Sequence, residues 1–218
     1  MPFPTTSILS SFTGSDENPL SEGGAWSGSV EGGTEVDCQR LSNQCTRGSA
    51  GASGAYRVGG SFTEAEVYMT LSGIVGVTGH YAGVAARLIE PDTANRDYYL
   101  CYYLTDDNTV RLQRVINGAG TNVASVGQAL SAGNKLGMSV SGTGATVTLK
   151  AFFDDGGGWD EILSFADTDA NRIVSAGTLG LSLSNTALWI VDDFGGGEIV
   201  SAAVANATAF QVPSPLRW

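Results

Sequence analysis

Positive charge is scarce in this sequence. Its 218 residues contain 11 Lys and Arg against 22 Asp and Glu, so the formal net charge is −11, and lysine occurs only at Lys135 and Lys150. Proteins that bind nucleic acid need clustered basic side chains that meet the phosphate backbone. The composition is therefore a poor fit to a nucleic-acid partner, and we expect none.

Long apolar segments are also missing. No run approaches the roughly 18–20 apolar residues that cross a bilayer, so we expect no membrane partner. Residues 1–9 have neither the basic start nor the apolar stretch of a signal peptide. An initiator-like Met1 favours a protein that is made and used without export, and the alternative is a leader that was removed before residue 1.

The single histidine limits the catalytic groups that are available. A Ser–His–Asp triad needs a histidine that accepts the serine proton. His80 lies in the turn-like Gly79-His80-Tyr81, and no Gly-x-Ser-x-Gly elbow occurs in the sequence. We therefore interpret His80 as an ordinary surface residue.

Acidic residues are plentiful, and glycoside hydrolases act through two carboxyl groups. The Glu-x-Asp-x-x-Glu strand of sandwich-type glucanases is absent. The nearest acidic pieces, which we expect in or beside turns, are Glu64 and Glu66, Asp154 and Asp155, Asp160 and Glu161, and Asp192 and Asp193. We expect no catalytic residues and no enzyme activity, and a glycoside hydrolase is only the third alternative.

Metal ligands are similarly sparse. The loop from Asp154 to Glu161 offers carboxylates to calcium, but it lacks the Asp-x-Asp-x-Asp-Gly register of an EF-hand. Zinc would require His80 and three cysteines to converge without a Cys-x-x-Cys pair. We expect a charged hairpin loop here, and neither a metal nor another cofactor.

The three cysteines fall into two groups. Cys101 lies inside a tyrosine-rich strand, where a buried thiol acts as a small apolar side chain. Cys38 and Cys45 bracket Ser42-Asn43, which suits a turn. If a hairpin forms there, the two Cβ atoms can face each other and a disulfide can close after release from a reducing cell. Two reduced thiols are the alternative.

Alternation of apolar and polar residues dominates the sequence, with many β-branched and aromatic residues. The clearest strand is 96–105, and turn residues at 106–108 lead to a return strand at 109–117, which predicts a hairpin. Further strands are predicted at 56–58, 65–71, 83–88, 135–141, 145–153, 179–184 and 188–193. Short strands that glycine-rich turns separate indicate a sandwich or a barrel.

Four tyrosines in the clearest strand have two interpretations. Tyr98 and Tyr102 point to one face, and Tyr99 and Tyr103 point to the other. The tyrosines on one face can form a platform that stacks on a sugar. Cross-strand aromatic pairing and filling of the core explain them without a ligand.

The chain is organised as one domain with two distinct ends. No linker interrupts residues 12–199, which follow an N-terminal segment at 1–11. Residues 200–218 finish with two prolines and hold more apolar side chains than a solvated tail needs, which favours a docking arm over a frayed terminus. Candidate assembly contacts in this arm are Phe210, Leu216 and Trp218.

Three stretches together resemble the concanavalin A-like and laminin-G-like jelly-roll domains. Residues 11–20 with Trp26 resemble the opening pattern D-x-F-x-x-x-D-G-x-x-L…W of that family. Residues 85–87 and 98–100 look like its paired core strands. Residues 167–194 are similar to its closing pattern D…I-x-x-G-x-x-G-L…W-x-D-D-F.

The resemblance implies an all-β fold, namely a two-sheet antiparallel jelly-roll sandwich in a single domain with an extended C-terminal arm. Single-domain members are familiar among tailed-bacteriophage virion proteins. The resemblance therefore implies a non-enzymatic structural virion protein, for capsid decoration or in the tail. Such a protein would be located in the virion, where it would form a homo-oligomer and contact other virion proteins. Some members of the family bind host glycans. The alternative is a carbohydrate-binding module that recognises host surface polysaccharide.

Overall fold

The computed structural model describes residues 2–28, 30, 36–48, 52–74, 79–184 and 189–200. The strands are β1 (Ile8–Ser10), β2 (Trp26–Ser27), β3 (Val36–Leu41), β4 (Gln44–Arg47), β5 (Ser53–Arg57), β6 (Ala65–Gly73), β7 (Tyr81–Ile89), β8 (Asp97–Leu104), β9 (Thr109–Ile116), β10 (Ala119–Gly127), β11 (Lys135–Ser141), β12 (Val147–Asp154), β13 (Asp160–Asp167), β14 (Thr178–Leu183) and β15 (Ile190–Glu198). No helix occurs among these residues, and thus none that is long and apolar enough to cross a membrane.

The strands form one hydrogen-bonded path in the order β10-β9-β8-β7-β14-β5-β3-β4-β15-β6-β11-β12-β13, with β1 beside β15 and β2 beside β5. β3 joins the two halves of this path because Val36 and Asp37 pair with β5, whereas residues 38–41 pair with β4. We refer to β10-β9-β8-β7-β14-β5 as the first half-sheet. We refer to β4-β15-β6-β11-β12-β13 as the second half-sheet.

The all-β expectation is confirmed, but the two separate sheets of a sandwich are not what the structure shows. The path is continuous through β3, and its two ends approach each other where β10 lies near β13. The strand pairings in the described part of the chain are antiparallel except that of β3 with β5. The result is a barrel-like arrangement, because one hairpin runs from the first half-sheet into the second.

The main core lies between the two half-sheets. Its largest fully buried side chains include Phe12, Met69, Leu71, Tyr99, Leu112, Leu136, Met138, Trp189 and Phe194. Tyr99 and Tyr103 of β8 face this core, whereas Tyr98 and Tyr102 alternate with them and belong to a second cluster on the opposite face. Both faces of β8 are therefore covered, which explains why apolar residues occupy successive positions of this strand.

The hairpin predicted at 96–117 is confirmed as β8 and β9, in which Leu104 pairs with Thr109. Asn108 closes the turn with a φ of 53°, in the left-handed region that asparagine tolerates well. Its Oδ1 accepts a hydrogen bond from the Tyr103 hydroxyl at 2.6 Å, which ties the turn to the strand. The other seven predicted strands overlap β5, β6, β7, β11, β12, β14 and β15.

The residues before Phe12 are tied to the second half-sheet. β1 pairs with β15, and the ring of Phe3 stacks on that of Phe152 with centroids 3.9 Å apart. The hydroxyl of Tyr68 donates to the carbonyl of Thr6 at 3.1 Å. The segment predicted at 1–11 therefore packs against the sheet from Phe3 onward.

The predicted C-terminal arm, residues 200–218, lies outside the described residues apart from Val200. The same holds for its candidate assembly contacts, Phe210, Leu216 and Trp218. The backbone N–H of Val200 donates to the Thr5 hydroxyl at 3.2 Å, so the described chain ends beside the N-terminal segment.

Candidate functional site

A cleft of about 360 Å³ lies on the face of the first half-sheet that is turned away from the main core. It crosses β7, β8 and β9 and reaches the turn before β10. The residues that line it are Tyr81, Arg96, Tyr98, Leu100, Tyr102, Leu104, Gln113, Val115, Gly118 and Gly120. Its lining combines apolar side chains, such as Leu100, Leu104 and Val115, with the polar side chains of Arg96 and Gln113.

The aromatic wall of the cleft comes from two neighbouring strands. Tyr81 of β7 and Tyr102 of β8 meet edge to face, with ring centroids 5.4 Å apart and planes at 65°. Gly83 lies opposite Tyr102 in the ladder, and a Cβ on Gly83 would lie only 2.7 Å from that of Tyr102. Glycine at this position therefore makes room for the tyrosine ring that faces the cleft.

Polar groups at the wall are held in place by hydrogen bonds to one another. The Tyr102 hydroxyl donates to Oδ1 of Asn122 at 2.9 Å, and Nε2 of Gln113 donates to the same oxygen at 3.3 Å. The hydroxyls of Tyr81 and Ser182 are 3.2 Å apart. This wall combines aromatic rings with donors and acceptors whose orientation is fixed before any ligand arrives.

The four pairs of acidic residues singled out in the sequence lie outside this cleft, and for two of the pairs the predicted position in or beside a turn is wrong. Glu66 is inside β6 and is 1% exposed, and Asp192 and Asp193 are inside β15 rather than beside a turn. A register irregularity between Val191 and Phe194 accommodates the two aspartates within the strand. Burial, and then the neighbouring Asp192, raise the pKa of the Asp193 carboxyl.

A second cleft, of about 240 Å³, lies on the outer face of the second half-sheet and is lined by Glu64, Glu66 and Glu161. The N-terminal segment covers part of this face. The backbone N–H groups of Thr5 and Thr6 both donate to the Glu66 carboxylate. The carboxylate that lies deepest is therefore bound by the chain itself.

Aromatic rings of the second half-sheet are also covered by the N-terminal segment. Phe3 stacks on Phe152, and its centroid lies 4.9 Å from that of Trp159 and 6.2 Å from that of Tyr68. These three aromatic rings on this face are thus in contact with Phe3. This distinguishes the second cleft from the first, since none of the described residues that line the first cleft belongs to the N-terminal segment.

The loop at 154–161 is the charged hairpin turn that we expected. Oδ2 of Asp154 accepts from Nζ of Lys135 at 2.8 Å, and its Oδ1 accepts from the backbone N–H groups of Gly156 and Gly158 at 2.7 and 3.0 Å. Both oxygens of this carboxylate are therefore used in closing the turn between β12 and β13.

We predict that Asp154 makes stability depend on pH. The Lys135 hydrogen bond, followed by those from the turn, lowers the pKa of its carboxyl below the ordinary value of about 3.9. Its contribution is complete above that ordinary value and is lost as the pH falls through the lowered pKa. Urea unfolding should show Asp154→Asn less stable than the wild type at pH 7, with a smaller difference at pH 3. A pH-independent difference would contradict this.

His80 is 8% exposed, so the prediction of a surface residue is wrong. Its backbone carbonyl accepts from the N–H of Thr105 at 3.0 Å, which joins the residue before β7 to the residue after β8. This position at the strand ends, rather than in an open loop, explains its burial.

The hairpin predicted around Ser42-Asn43 is confirmed, but its register does not bring the two cysteines face to face. The two-residue turn pairs Arg40 with Cys45 and places Cys38 opposite Arg47. Cys38 and Cys45 are thus diagonal neighbours, too far apart for the Cβ separation that a disulfide needs. Both are buried thiols of the main core, as is Cys101, and burial raises the pKa of the Cys101 thiol.

The sequence pointed to part of the first cleft. Tyr98 and Tyr102 were predicted on one face, and the structure places both in the second apolar cluster with an edge in the cleft. Tyr81 and Asn122 were missed, because only the pairing of β7 with β8 and of β10 with β9 brings them to this wall. An outward position for Gln113 follows from the alternation of β9.

Comparison with known proteins identifies the fold. No protein-family model matches the chain, and no curated protein does. Among solved structures, the carbohydrate-binding module CBM66 from Bacillus subtilis has a TM-score of 0.55 at 16% identity, covering 78% of this chain and 93% of its own. A β-1,3-1,4-glucanase (lichenase) from a mouse hindgut metagenome has a TM-score of 0.58 at 11% identity, covering 85% and 98%.

A third similar structure is the exoplasmic/lumenal domain of VIP36 in its Ca²⁺- and Man3GlcNAc-bound form. It has a TM-score of 0.58 at 10% identity, with 83% of this chain and 86% of that chain covered. These proteins are concanavalin A-like jelly rolls, and the likeness shows that this chain shares their fold. At such identities the likeness concerns the fold alone.

Proposed function

We propose that this protein binds carbohydrate and that the cleft on the first half-sheet holds a sugar ring. The observation that carries the proposal is the wall in which Tyr81 and Tyr102 stand beside the fixed polar groups of Gln113 and Asn122. A pyranose has an apolar face of C–H groups and a rim of hydroxyls. Rings and oriented amides in one cleft match both parts of such a molecule.

The size and the surroundings of the cleft support this proposal. Its volume of about 360 Å³ lies within the range of small-molecule sites. Structures of similar fold include a carbohydrate-binding module and a domain with bound Man3GlcNAc. The hypothesis of a carbohydrate-binding module is thus better supported than the hypothesis of a structural virion protein.

We propose further that the bound sugar is not hydrolysed. Glycoside hydrolysis needs two carboxyl groups on either side of the scissile bond. Among the described residues that line the cleft, none is Asp or Glu. The function is therefore recognition.

The virion location is a proposal that rests on the sequence resemblance alone. A glycan-binding domain is compatible with it, because adhesion to a host surface uses the same chemistry. Mass spectrometry of purified phage particles tests it, and consistent absence of this chain from every particle preparation would contradict it.

We predict that Tyr81→Ala weakens saccharide binding about tenfold, since it removes one ring of the wall. Trp159→Ala is the matched control, because it removes an aromatic ring from the opposite half-sheet. A glycan array finds the saccharides that bind, and titration calorimetry compares the two variants with the wild type. The bound oligosaccharides should be recovered intact. Equal loss in both variants, or cleavage of the sugar, would contradict the proposal.

A further inference from the structure

We propose that the cleft selects saccharides that carry a carboxylate, such as uronic acids, and that Arg96 binds this carboxylate. The inference rests on the proposed function and names the class of ligand. It is carried by the hydrogen bonding of Arg96, by the charge of the cleft, and by the room that glycines leave around the guanidinium.

Arg96 has far fewer partners than a typical arginine of this protein. Within the described part of the chain its guanidinium makes one hydrogen bond, from Nη1 to the carbonyl of Thr93 at 3.0 Å, and no carboxylate there lies within ion-pair distance. Its Nε is buried without an acceptor. By contrast, four other arginines pair with acidic side chains, namely Arg40, Arg57, Arg111 and Arg114.

The unused donors of Arg96 are the ones that bind carboxylates best. Nε and Nη2 form one edge of the guanidinium, and this edge meets the two oxygens of a carboxylate through parallel hydrogen bonds. Neither atom has an acceptor among the described residues. An acidic ligand in the cleft would supply both acceptors at once.

The charge around the cleft favours an anion there, although the whole chain is acidic. The chain has 22 Asp and Glu, yet no described residue that lines the cleft is one of them. Asp97 follows Arg96 directly, but its carboxylate accepts the backbone N–H of Asn117 at 2.7 Å and is used in the turn after β9. Arg96 is thus the one charged side chain among these lining residues.

Two glycines give the polar side chains their space. A Cβ on Gly118 would lie 3.0 Å from Nη1 of Arg96, and a Cβ on Gly120 would lie 2.8 Å from the amide of Gln113. Larger residues at these positions would push the guanidinium and the amide away from where they lie. The turn into β10 therefore leaves a polar end beside the tyrosine wall.

A uronic acid fits this combination of groups. It keeps the pyranose ring that stacks on an aromatic side chain, and it replaces the hydroxymethyl group with a carboxylate. The ring would lie against Tyr81 and Tyr102, and the carboxylate would meet Arg96. The amide of Gln113 remains available to a ring hydroxyl through its second N–H.

The test compares charged and uncharged forms of the same sugars. Titration calorimetry measures the full-length protein with tetramers of galacturonate, glucuronate and mannuronate, and with the methyl ester of each. We expect at least one acid to bind about tenfold or more tightly than its ester. Arg96→Gln should remove that preference, Arg96→Lys should keep part of it, and Arg172→Gln is the control that should keep all of it.

The outcomes separate the inference from the proposed function. One outcome would overturn the inference and leave carbohydrate binding in place. In that outcome, neutral oligosaccharides bind as tightly as the acids, Arg96→Gln has no effect on affinity, and Tyr81→Ala weakens binding. Absence of binding by every charged and neutral saccharide would overturn both. Circular dichroism verifies that each variant keeps the wild-type fold.

Discussion

Replacing Arg87 with methionine is expected to lower the free energy of unfolding by about 3–5 kcal/mol, since each buried carbonyl left without a donor costs about 1–3 kcal/mol. Arg87 lies in β7 and is fully buried. Its Nε donates to the carbonyl of Thr63 at 2.8 Å, Nη1 to that of Ile173 at 2.6 Å, and Nη2 to that of Gly142 at 2.8 Å. One side chain thus holds three separate segments.

Methionine keeps much of the volume of the arginine stem but leaves these three carbonyls without their donor. The matched control is Arg172→Met, because Arg172 also donates to two carbonyls, those of Gly144 and Asp169, but at exposed positions where water replaces it. Urea unfolding at neutral pH should show a small effect for the control and a large one for Arg87→Met. Equal effects would show that burial of the carbonyls is not what matters.

The second large effect is expected for Asp167→Asn, at about 3 kcal/mol, because removing the buried partner of an ion pair is strongly destabilising and Arg114 then keeps only the more exposed Asp169. Asp167 is 1% exposed. Its carboxylate accepts from Nη1 of Arg114 at 2.7 Å and from the Tyr99 hydroxyl at 2.8 Å. The Tyr99 oxygen in turn accepts the N–H of Ile173 at 2.9 Å, so the carboxylate anchors a buried chain of hydrogen bonds.

Asp169 provides the control for this prediction, since it pairs with the same Arg114 at 3.0 Å but its side chain is 44% exposed. Exposed ion pairs contribute about 0–1 kcal/mol, so Asp169→Asn should change stability little. Thermal and urea unfolding measure both variants. An effect of Asp169→Asn as large as that of Asp167→Asn would mean that the number of charges around Arg114, rather than their burial, decides stability.

Local features of the fold could be predicted from the sequence, because they depend on neighbours along the chain. Alternating residues and turn-forming residues at 106–108 were enough to place β8 and β9. The order of the strands was not accessible, since β7 pairs with β14 and β6 with β15 over long separations. The continuity of the strand path through β3 depends on the residue at which this strand stops pairing with β5 and starts pairing with β4.

Burial and register explain the remaining errors. The spacing of Cys38 and Cys45 suited a disulfide, but the two-residue turn pairs Cys45 with Arg40, which lies two residues from Cys38. Glu66 was expected in or beside a turn, but it lies inside β6, where the N-terminal segment covers it. The face of β8 on which Tyr102 lies could be predicted from the alternation of that strand. Its contact with Tyr81 could not, because it depends on the pairing of β7 with β8.

Carbohydrate binding at the tyrosine wall is tested most directly by nuclear magnetic resonance, in which ¹⁵N-labelled protein is titrated with a saccharide that the array identifies. Binding in the proposed cleft would shift the amide signals of β7 to β10, with Gln113 and Asn122 among the strongest. Signals of β6, β11 and β12 would stay in place. Shifts confined to those three strands, or to the hairpin turn beside Trp159, would contradict the account.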